Sequence, residues 1–394
     1  MKLLWVKTDF LHPTTRGGQI RTLEIVKRLH RRNEVHYIAY DNPSQPEGLA
    51  RAGEYSTRAY PIPHQVPSKR SPAFVMQLAK GLVSPLPVAV SRWKSDAMRV
   101  KIDEISTLER YDAIVCDFLA TAPNCPALDD CVLFQHNIET MIWRRRVEQA
   151  PDYFRRAYLK MQAERMEAYE RHVCRKVKRV IAVSEADAKM MQEMFGIGDV
   201  PIAATGVDTE YFMPHEAAEP AFDLVFIGSM DWLPNTDGMK FFTASMLPLI
   251  RRVFPQCKVA IVGRTPDPEI QAMAAADRLI TVTGTVPDVR PYLWTSKLSI
   301  VPLRIGGGTR LKIYESMAAR CPVVSTTIGA EGLSVTHPQN IRLADTPEQF
   351  AAECIRLLQS EDERTRLAEA AYRLVRENFS WDMMAREFEA ILTG

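Results

Sequence analysis

The feature that most constrains the fold is an alternation of short apolar runs with longer amphipathic segments. Runs such as AIVC at 113–116 and VIAV at 180–183 are apolar throughout, which is typical of strands buried on both faces of a parallel sheet. Parallel strands need a crossover connection, usually a helix like the one predicted at 18–30, so the alternation indicates βαβ units. The predicted strands span residues 2–6, 34–40, 113–116, 132–135 and 180–183, and then 224–227, 259–262, 280–282, 298–303, 323–326 and 341–343.

The alternation occurs twice along a chain of 394 residues, which is too long for one ordinary hydrophobic core. A polar segment at 205–223, which contains two prolines, separates the two arrays. We therefore predict two doubly wound α/β domains with parallel sheets, the first at 1–205 and the second beginning at 206.

Two segments interrupt the alternation. Residues 41–72 are rich in proline, serine and charge and predict an irregular excursion, which either shapes a binding site or is a surface insertion. Residues 151–179 predict one long helix with an imperfect apolar stripe. Basic residues gather at 92–101 and 144–146, where they could contact an anionic membrane or form an ordinary solvated face.

Composition excludes several classes of protein. The net charge of +2 gives no global positive field, so no nucleic-acid partner is expected. Seven cysteines without a C-x-x-C pair indicate buried, reduced thiols in a cytosolic protein. No run of eighteen apolar residues occurs, and MKLLWVKTDF at the start favours a first strand over a signal peptide. The expected location is cytoplasmic, with peripheral contact at the inner face of the plasma membrane left open.

The stretch VPLRIGGGTRLKIYESMAARCPVV, residues 301–324, predicts a strand, a glycine-rich loop and a helix. Free N–H groups at the helix start favour an anion, and glycine lets a ligand approach the backbone closely. Arg310 can bind two phosphate oxygens, Lys312 adds a second positive charge, and Glu315 can accept hydrogen bonds from a vicinal diol. Together these groups fit a nucleoside diphosphate, whereas the competing interpretation is a glycine-rich turn beside a surface ion pair.

This stretch resembles the retaining glycosyltransferases of family 4, and the resemblance covers nearly the whole chain. It implies the GT-B fold, in which two Rossmann-like domains face each other with the donor site in the cleft between them. It also implies a second domain at 206–376 and a C-terminal helix at 377–394 that crosses back to the N-terminal, acceptor-side domain.

Two departures from the family pattern involve the same loop. In the E-x7-E motif of the family, Glu315 matches the second glutamate and Gly307 stands where the first should be, as in a subgroup that carries GGGTRLK. The resemblance then implies that backbone amides at 306–309 meet the sugar hydroxyls. The segment FIGSMDWLPNTDG at 226–238 lacks the two cations that the family usually carries there, and we infer that Arg310 and Lys312 supply the missing charge.

Other motifs extend the resemblance to both halves of the chain. TRGGQIRT at 15–22 resembles a Gly-Gly loop that faces the donor phosphates, and His136 in FQHNIET matches an active-site histidine near the transferred sugar. VGRTP at 262–266 and TGTVPDVRPYL at 283–293 resemble the side that binds the nucleobase. A tight turn and a structural histidine remain the alternatives for the first two motifs. The predicted catalytic residues are His136, Arg310 and Lys312, and the predicted donor-binding residues are Gly17, Gly18, Gly228, Ser229, Gly263, Arg264, Val286, Gly306, Gly307, Gly308, Thr309, Arg310, Lys312 and Glu315.

The resemblance implies a hexosyltransferase of polysaccharide biosynthesis. It would move a hexosyl group with retention from a UDP- or GDP-linked sugar to a hydroxyl of a glycan, lipid-linked or small-molecule acceptor. No cofactor is implied, and no D-x-D triplet occurs that would point to a metal-bridged diphosphate. A non-hydrolysing sugar-nucleotide epimerase and a nucleotide-binding pseudoenzyme remain alternatives. An NAD-linked oxidoreductase is disfavoured because no G-x-G-x-x-G follows the first strand.

Overall fold

The computed structural model of the chain describes residues 1–14, 17–64, 76, 81, 84–148, 150, 152–214, 219–305 and 311–394. Contacts within the chain divide it into two compact units. Unit 1 consists of Met1–Ala204 together with Met384–Gly394, and unit 2 consists of Thr205–Met383. Each unit is built around one parallel sheet.

The sheet of unit 1 has six strands in the order β3-β2-β1-β4-β5-β6, and every neighbouring pair is parallel. The strands are β1 Lys2–Val6, β2 Glu34–Asp41, β3 Arg58–Pro63, β4 Ala113–Asp117, β5 Cys131–Phe134 and β6 Arg179–Ile181. The described α-helices of this unit are Gly17–His30, Glu47–Ala50, Val88–Ser91, Asp96–Leu108, Glu139–Glu148, Tyr153–Lys176 and Glu185–Phe195, and short 3₁₀ turns occupy Ala52–Glu54, Leu119–Asn124 and Leu128–Asp130.

The sheet of unit 2 repeats this plan in the order β12-β11-β10-β7-β8-β9, again with parallel neighbours throughout. The strands are β7 Phe222–Ile227, β8 Val259–Val262, β9 Ile280–Val282, β10 Ser296–Val301, β11 Val323–Ser325 and β12 Arg342–Leu343. The described α-helices are Thr209–Phe212, Leu233–Phe241, Leu247–Arg251, Pro268–Ala276, Arg290–Trp294, Leu311–Ala318, Pro347–Gln359 and Glu361–Asn378, with a π-helical turn at Phe242–Met246. The last helix, Trp381–Thr393, begins in unit 2 and belongs to unit 1 from Met384 onward.

Both sheets therefore have the Rossmann strand order, and the predicted fold class of two doubly wound α/β domains is confirmed. The strand order reverses between β1 and β4 in unit 1 and between β7 and β10 in unit 2. Such a reversal leaves a crevice beyond the carboxyl ends of the two strands, where α/β proteins bind ligands. The candidate site residues described below lie around these two positions.

The prediction of an irregular excursion at 41–72 is wrong for its described part. Residues 58–63 form β3, which pairs in parallel with β2 at the edge of the sheet. Pro61 and Pro63 conceal this strand from pattern reasoning, because proline cannot donate to a ladder and is tolerated on edge strands. Residues 65–72 lie outside the described residues.

Three predicted helices differ in their ends. The helix predicted at 151–179 runs from Tyr153 to Lys176, and the Asp152 side chain caps it by accepting a hydrogen bond from the Arg155 N–H at 2.9 Å. The helix after the glycine-rich loop is expected from the sequence to run to about Arg320, because Pro322 follows, but it ends at Ala318. Arg320 has a left-handed φ of 54°. The segment at 377–392 is not one helix. It breaks at Ser380, where the backbone pairs with Val207.

Two further sequence expectations concern the cysteines and membrane-spanning segments. All seven cysteines are buried and unpaired, as predicted. Among the described residues, no helix is both long enough and apolar enough to cross a bilayer.

An aromatic cluster in the core of unit 1 fixes the last helix of the chain. The fully buried Phe388 ring lies 5.5 Å from that of Trp5 on β1 and 4.9 Å from that of Phe134 on β5, measured between centroids. These rings come from the centre of the sheet and from the C-terminal helix. The cluster therefore packs the last helix of the chain against strands that lie far from it in sequence.

We expect Phe388→Ala to destabilise the protein by about 3–5 kcal/mol, the usual effect of truncating a buried phenylalanine. This corresponds to a fall of roughly 10 °C in the melting temperature, measured by differential scanning fluorimetry. Met383→Ala on the same helix is the matched control, because that side chain is 38% exposed and should change stability little. Equal melting temperatures for Phe388→Ala and wild type would contradict the role of the cluster.

Candidate active site

The loops after β7 and β8 approach each other so closely that glycine is required. The Gly228 N–H donates to the carbonyl oxygen of Val262 at 2.9 Å. A Cβ atom on Gly263 would lie 1.8 Å from the Gly228 carbonyl oxygen, which no side chain could tolerate. The structure thus brings together two of the predicted donor-binding glycines at the carboxyl edge of the unit 2 sheet.

Lys312 supplies positive charge at this edge. Its Nζ donates to Asn235 Oδ1 at 2.8 Å and lies 4.2 Å from the centroid of the Phe226 ring. A Cβ atom on Gly228 would lie only 2.6 Å from the Lys312 Nζ. The ammonium group therefore stands beside the backbone just after β7, in the segment where the sequence lacks the expected cations.

Ser229 and Arg264 form a second polar group beside Lys312. Arg264 Nε donates to the Ser229 hydroxyl oxygen at 2.7 Å, and Arg264 Nη2 lies 3.5 Å from a carboxylate oxygen of Asp231. The Ser229 hydroxyl in turn donates to Asp231. Asp231 thus compensates part of the Arg264 charge and holds this guanidinium near the glycine loops.

Glu315 lies one turn after Lys312 on the helix Leu311–Ala318 and is half-buried. Burial raises the pKa of Glu315 to about 7, while nearby Lys312 acts in the opposite direction. Within the described parts of the chain, no hydrogen bond to the Glu315 carboxylate is formed. A carboxyl group without a donor is suited to accept hydrogen bonds from a ligand.

The remaining donor-side predictions are Val286 and five residues of the glycine-rich loop. Val286 is half-buried in the segment between β9 and the helix Arg290–Trp294, and none of the described hydrogen bonds links it to Lys312 or Glu315. Five predicted residues, Gly306, Gly307, Gly308, Thr309 and Arg310, lie outside the described residues, so their roles stay predictions.

Sequence reasoning missed two side chains that position this site. Asn235 is almost fully buried, and besides accepting from Lys312 it donates to the Ser229 carbonyl oxygen at 2.7 Å. Arg304 Nη2 and Nε donate to the Asp237 carboxylate at 2.6 and 3.1 Å, which ties the start of the glycine-rich loop to the helix Leu233–Phe241. The sequence signal that could have indicated Asn235 and Asp237 was the polar triplet NTD at 235–237, near the start of a helix that is otherwise mostly apolar.

In unit 1, a buried carboxylate organises the carboxyl ends of β1 and β4. Asp117 accepts hydrogen bonds from Lys7 Nζ at 2.8 Å, from Trp5 Nε1 at 2.9 Å and from the Thr22 hydroxyl at 2.6 Å. Burial alone would raise the pKa of Asp117, but Lys7 and His136 hold it well below its usual range. The carboxylate therefore stays ionised and fixes three elements of the unit.

His136 follows β5 by two residues, as predicted, and is almost fully buried. Its Nδ1 lies 3.0 Å from Arg21 Nη1, and its Nε2 lies 3.0 Å from Asp117 Oδ1. Arginine can only donate, so Nδ1 accepts and the ring proton resides on Nε2. Burial lowers the pKa of His136 to about 3, with Arg21 assisting and Asp117 opposing, so the ring is neutral at physiological pH.

The predicted Gly-Gly loop lies beside this histidine. Gly17 begins the helix Gly17–His30, and a Cβ atom on Gly18 would lie 2.8 Å from Phe118 and 3.6 Å from His136 Nδ1. The Phe118 ring stacks on His136 with centroids 4.0 Å apart. The structure thus brings Gly18 and His136 into one group, from sequence positions more than a hundred residues apart.

A cavity of about 530 Å³ opens next to Gly18 in unit 1. Two tryptophans line it, Trp93 and Trp143, and so do Arg146 and the half-buried Glu139. Burial and neighbouring Glu170 raise the pKa of Glu139 to about 7, against the effect of Arg146. Aromatic faces with a carboxyl and a guanidinium group can bind a saccharide.

Glu170, which sequence reasoning also missed, positions the wall of this cavity. Its buried carboxylate accepts from the backbone N–H groups of Glu139 and Thr140 at 2.9 and 2.8 Å. It also accepts from the Thr140 hydroxyl at 2.6 Å and from Gln135 Nε2 at 2.8 Å. The helix Glu139–Glu148 therefore starts on a carboxylate supplied by another helix, a contact that local sequence patterns do not reveal.

Comparison with known proteins identifies the family. Residues 15–211, half of the chain, match the family model described as Glycosyltransferase Family 4, and residues 221–360 match the one described as Glycosyl transferases group 1. An uncharacterized 44.6 kDa protein in the cps region of Klebsiella pneumoniae is 20% identical over 398 residues, which cover 96% of each chain.

Solved structures share the fold over nearly the full length. Sucrose-phosphate synthase from Thermosynechococcus elongatus superposes with a TM-score of 0.73 at 15% identity, covering 99% of this chain and 98% of that one. Anabaena Alr3699/HepE, solved in complex with UDP and glucose, gives a TM-score of 0.67 at 13% identity, with full coverage of both chains. The chain therefore belongs to glycosyltransferase family 4 and has the GT-B fold.

Proposed function

We propose that this glycosyltransferase moves a hexosyl group from a nucleoside-diphosphate sugar to an acceptor hydroxyl, with retention and without a metal ion. The observation that carries the proposal is the position of Lys312, whose ammonium group lies against the Gly228 backbone at the carboxyl end of β7. Positive charge beside a glycine backbone that a ligand can approach closely is what a diphosphate leaving group requires.

Charge on the leaving group is the main electrostatic demand of the reaction. The bond between the anomeric carbon and the diphosphate oxygen breaks, and that oxygen keeps the electron pair. The acceptor oxygen forms the new bond from the face that the leaving group vacates, and its proton passes to a diphosphate oxygen. Lys312 and Arg310 stabilise the departing diphosphate, so that no bridging metal ion is needed.

The donor is a sugar linked to UDP or GDP in this proposal. The complex of Anabaena Alr3699/HepE with UDP and glucose supports a nucleoside diphosphate as the common element. Glu315 accepts hydrogen bonds from the ribose diol, and Ser229 and Arg264 extend the polar surface near the phosphates. The segment around Val286 provides the edge that faces the nucleobase.

The acceptor is a glycan or lipid-linked saccharide in this proposal, and the cavity of unit 1 binds it. Trp93 and Trp143 supply apolar lining for a sugar ring, and Glu139 accepts a hydrogen bond from an acceptor hydroxyl and so orients it. His136 is a neutral hydrogen-bonding group for the transferred sugar or the diphosphate. A role in polysaccharide assembly is supported by the relative in the Klebsiella pneumoniae cps region.

A pseudoenzyme that binds nucleotide without turnover is the second candidate, favoured by Gly307 at the place of the first motif glutamate. Incubation with radiolabelled UDP and GDP sugars separates the candidates. Transfer or slow hydrolysis of the donor supports a transferase, isomerised donor indicates an epimerase, and saturable binding without any product indicates a pseudoenzyme.

We expect Lys312→Ala and Arg310→Ala each to lower turnover by roughly tenfold or more while the fold survives, because each removes charge from the leaving diphosphate. Product formation and melting temperature are the measurements. Lys297→Ala is the matched control, since Lys297 lies at the opposite end of β10 and pairs with Asp223 at 2.8 Å. Wild-type turnover in both site variants would refute the assignment of these cations.

We expect Glu315→Gln to weaken binding of the nucleoside diphosphate by more than about 1 kcal/mol, the order of a charged hydrogen bond. Isothermal titration calorimetry with UDP and GDP measures this. Glu331→Gln, an exposed carboxylate in the same unit, serves as the control. An unchanged dissociation constant would count against the ribose assignment.

Without ligand, the same substitution should stabilise the protein at alkaline pH. The pKa of Glu315 is raised to about 7 from an ordinary value of 4.5, so stability is lost as the pH rises through that interval, and the loss stays constant above it. Glu315→Gln should therefore melt above wild type at about pH 8 and approach it near pH 5. A melting difference that does not change with pH would show that Glu315 does not titrate there.

We expect Glu139→Gln to lower transfer to the acceptor by roughly tenfold or more, because it removes a charged hydrogen bond. Nucleotide affinity should stay at the wild-type value. Since the pKa of Glu139 lies near 7 beside Glu170 and Arg146, wild-type transfer should rise through that pH and the variant should lose this rise. Glu148→Gln, exposed on the same helix, is the matched control, and an identical pH profile in wild type and Glu139→Gln would disprove the role.

A further inference from the structure

Three of the seven cysteines meet at one point in the core of unit 1. Cys116 lies on β4, Cys125 follows the 3₁₀ turn Leu119–Asn124, and Cys131 begins β5. Their sulfur atoms all lie within 4.8 Å of one another, and the three side chains are buried. The other four cysteines are buried as well, but none of them joins such a group within the described part of the chain. We call the three converging side chains the thiol cluster.

The contacts of the thiol cluster are those of sulfur atoms and one nearby oxygen. Cys116 Sγ lies 2.8 Å from Cys125 Sγ, and Cys131 Sγ donates to the carbonyl oxygen of Ala127 at 3.2 Å. The Tyr169 hydroxyl is buried and has no hydrogen-bond partner among the described residues. Burial raises the pKa of Tyr169, and the charges of Cys116 and Cys125 raise it further, so this oxygen lies close to the cluster. Three sulfur donors and an unpartnered oxygen thus share one region of the core.

This donor set is the one that soft metal ions prefer. A buried cysteine that only packs behaves as a small apolar side chain, which gives no reason for three thiols to converge. A disulfide would use two of the sulfurs and leave the third without a task. Zinc lies about 2.3 Å from each thiolate, which places sulfurs about 3.8 Å apart in a tetrahedral site. This separation falls between the 2.8 Å of Cys116 and Cys125 and the 4.8 Å limit of the cluster, so shifts of about 1 Å would seat the ion.

The charge of the cluster favours a divalent ion over a monovalent one. Each thiol loses its proton when it coordinates, so three thiolates bring three negative charges into the core. Asp129 and Asp130 add negative charge close to Cys131. Uncompensated charge in an apolar interior is costly, and a divalent ion compensates one thiolate more than a monovalent ion does.

We propose that the thiol cluster binds one divalent thiophilic ion such as Zn²⁺, which fixes the segment between Cys116 and Cys125. An ion bound to both cysteines closes this segment into a loop by linking its two ends. The segment includes Phe118, whose left-handed φ of 71° is a conformation that a residue other than glycine keeps only where its surroundings hold it. The inference does not rest on the proposed function.

The fixed segment reaches the candidate site of unit 1. Asp117 holds the buried ion pair, Phe118 stacks on His136, and Asn124 Nδ2 donates to the Trp93 carbonyl oxygen at 2.9 Å. The thiols themselves are not among the residues that line the cavity. The ion is therefore structural: it stabilises one wall of the cavity and takes no part in the metal-independent transfer proposed above.

The test is metal binding by the full-length chain, prepared in reductant and without an affinity tag. We expect one zinc ion per chain by inductively coupled plasma mass spectrometry, and a higher melting temperature with Zn²⁺ than after treatment with a chelator. Co²⁺ added to the chelator-treated protein should give an intense thiolate-to-cobalt charge-transfer band, which reports sulfur ligands directly. Competition with a chromophoric chelator gives the zinc dissociation constant.

Cys131→Ser should weaken zinc binding at least roughly tenfold and remove the charge-transfer band. Cys174→Ser is the matched control, because Cys174 is buried in the same core but lies outside the thiol cluster. Both substitutions place a hydroxyl group in that core, so only the response to zinc should separate them. If Cys131→Ser does not fold, Cys131→Ala provides the same comparison with an apolar side chain.

Absence of zinc binding, equal zinc affinity in Cys131→Ser and Cys174→Ser, or a cobalt spectrum without the charge-transfer band would each overturn the proposal. A disulfide between Cys116 and Cys125 that forms again after reduction and prevents zinc binding, detected by peptide mass spectrometry, would also overturn it and assign this pair to oxidation. Binding of UDP or GDP tests the proposed function separately, since the residues assigned to the nucleotide belong to unit 2.

Discussion

The structure depends on how each unit holds a lysine at the carboxyl edge of its sheet. In unit 1, Lys7 follows β1 and is buried in an ion pair with Asp117 at 2.8 Å. In unit 2, Lys312 reaches the end of β7, where it is held by the neutral amide of Asn235 and lies over the Phe226 ring. An amide orients an ammonium group without neutralising it, whereas a buried carboxylate compensates its charge.

The two lysines have different partners although the two sheets have the same topology. The ion pair of Lys7 and Asp117, together with Trp5, Thr22 and His136, is a rigid network in which every charge is compensated. Such a network fixes geometry, and it holds His136 in one tautomer. The ammonium group of Lys312 lies beside the Gly228 backbone, at an edge of the sheet where an anionic ligand can bind. In the proposed function, unit 1 therefore orients the substrates and unit 2 stabilises the charge of the leaving diphosphate.

Local patterns predicted the elements well and the long-range partners poorly. The bounds of β1, β8 and β9 match the prediction because each is a short apolar run between polar segments. Edge strand β3 was missed because its prolines contradict strand propensity, although an edge position tolerates them. The ends of helices shifted by a few residues where caps such as Asp152 decide them.

The residues of the candidate site likewise fall into those that local motifs predicted and those that only long-range contacts reveal. Motif spacing and family resemblance named Gly228, Gly263 and Lys312, which the fold does bring together. They could not name Asn235 or Glu170, because each acts through hydrogen bonds that include residues distant in sequence. Sequence patterns did not identify Glu139 either, for a different reason. Its significance comes from burial beside a second carboxylate, which is a property of packing rather than of pattern.

The pKa values of His136 and Glu315 affect how proton exchange accompanies ligand binding. His136, the residue type usually credited with pH sensitivity, has its pKa lowered to about 3 and keeps one charge state. Glu315 has a pKa near 7 because burial outweighs the attraction of Lys312. A diphosphate that neutralises Lys312 would remove that attraction and favour the protonated carboxyl, whereas ribose hydroxyls that donate to the carboxylate would favour the ionised form. The two halves of a nucleotide thus act on Glu315 in opposite directions, and only a ligand that carries both can bind without a large net proton exchange.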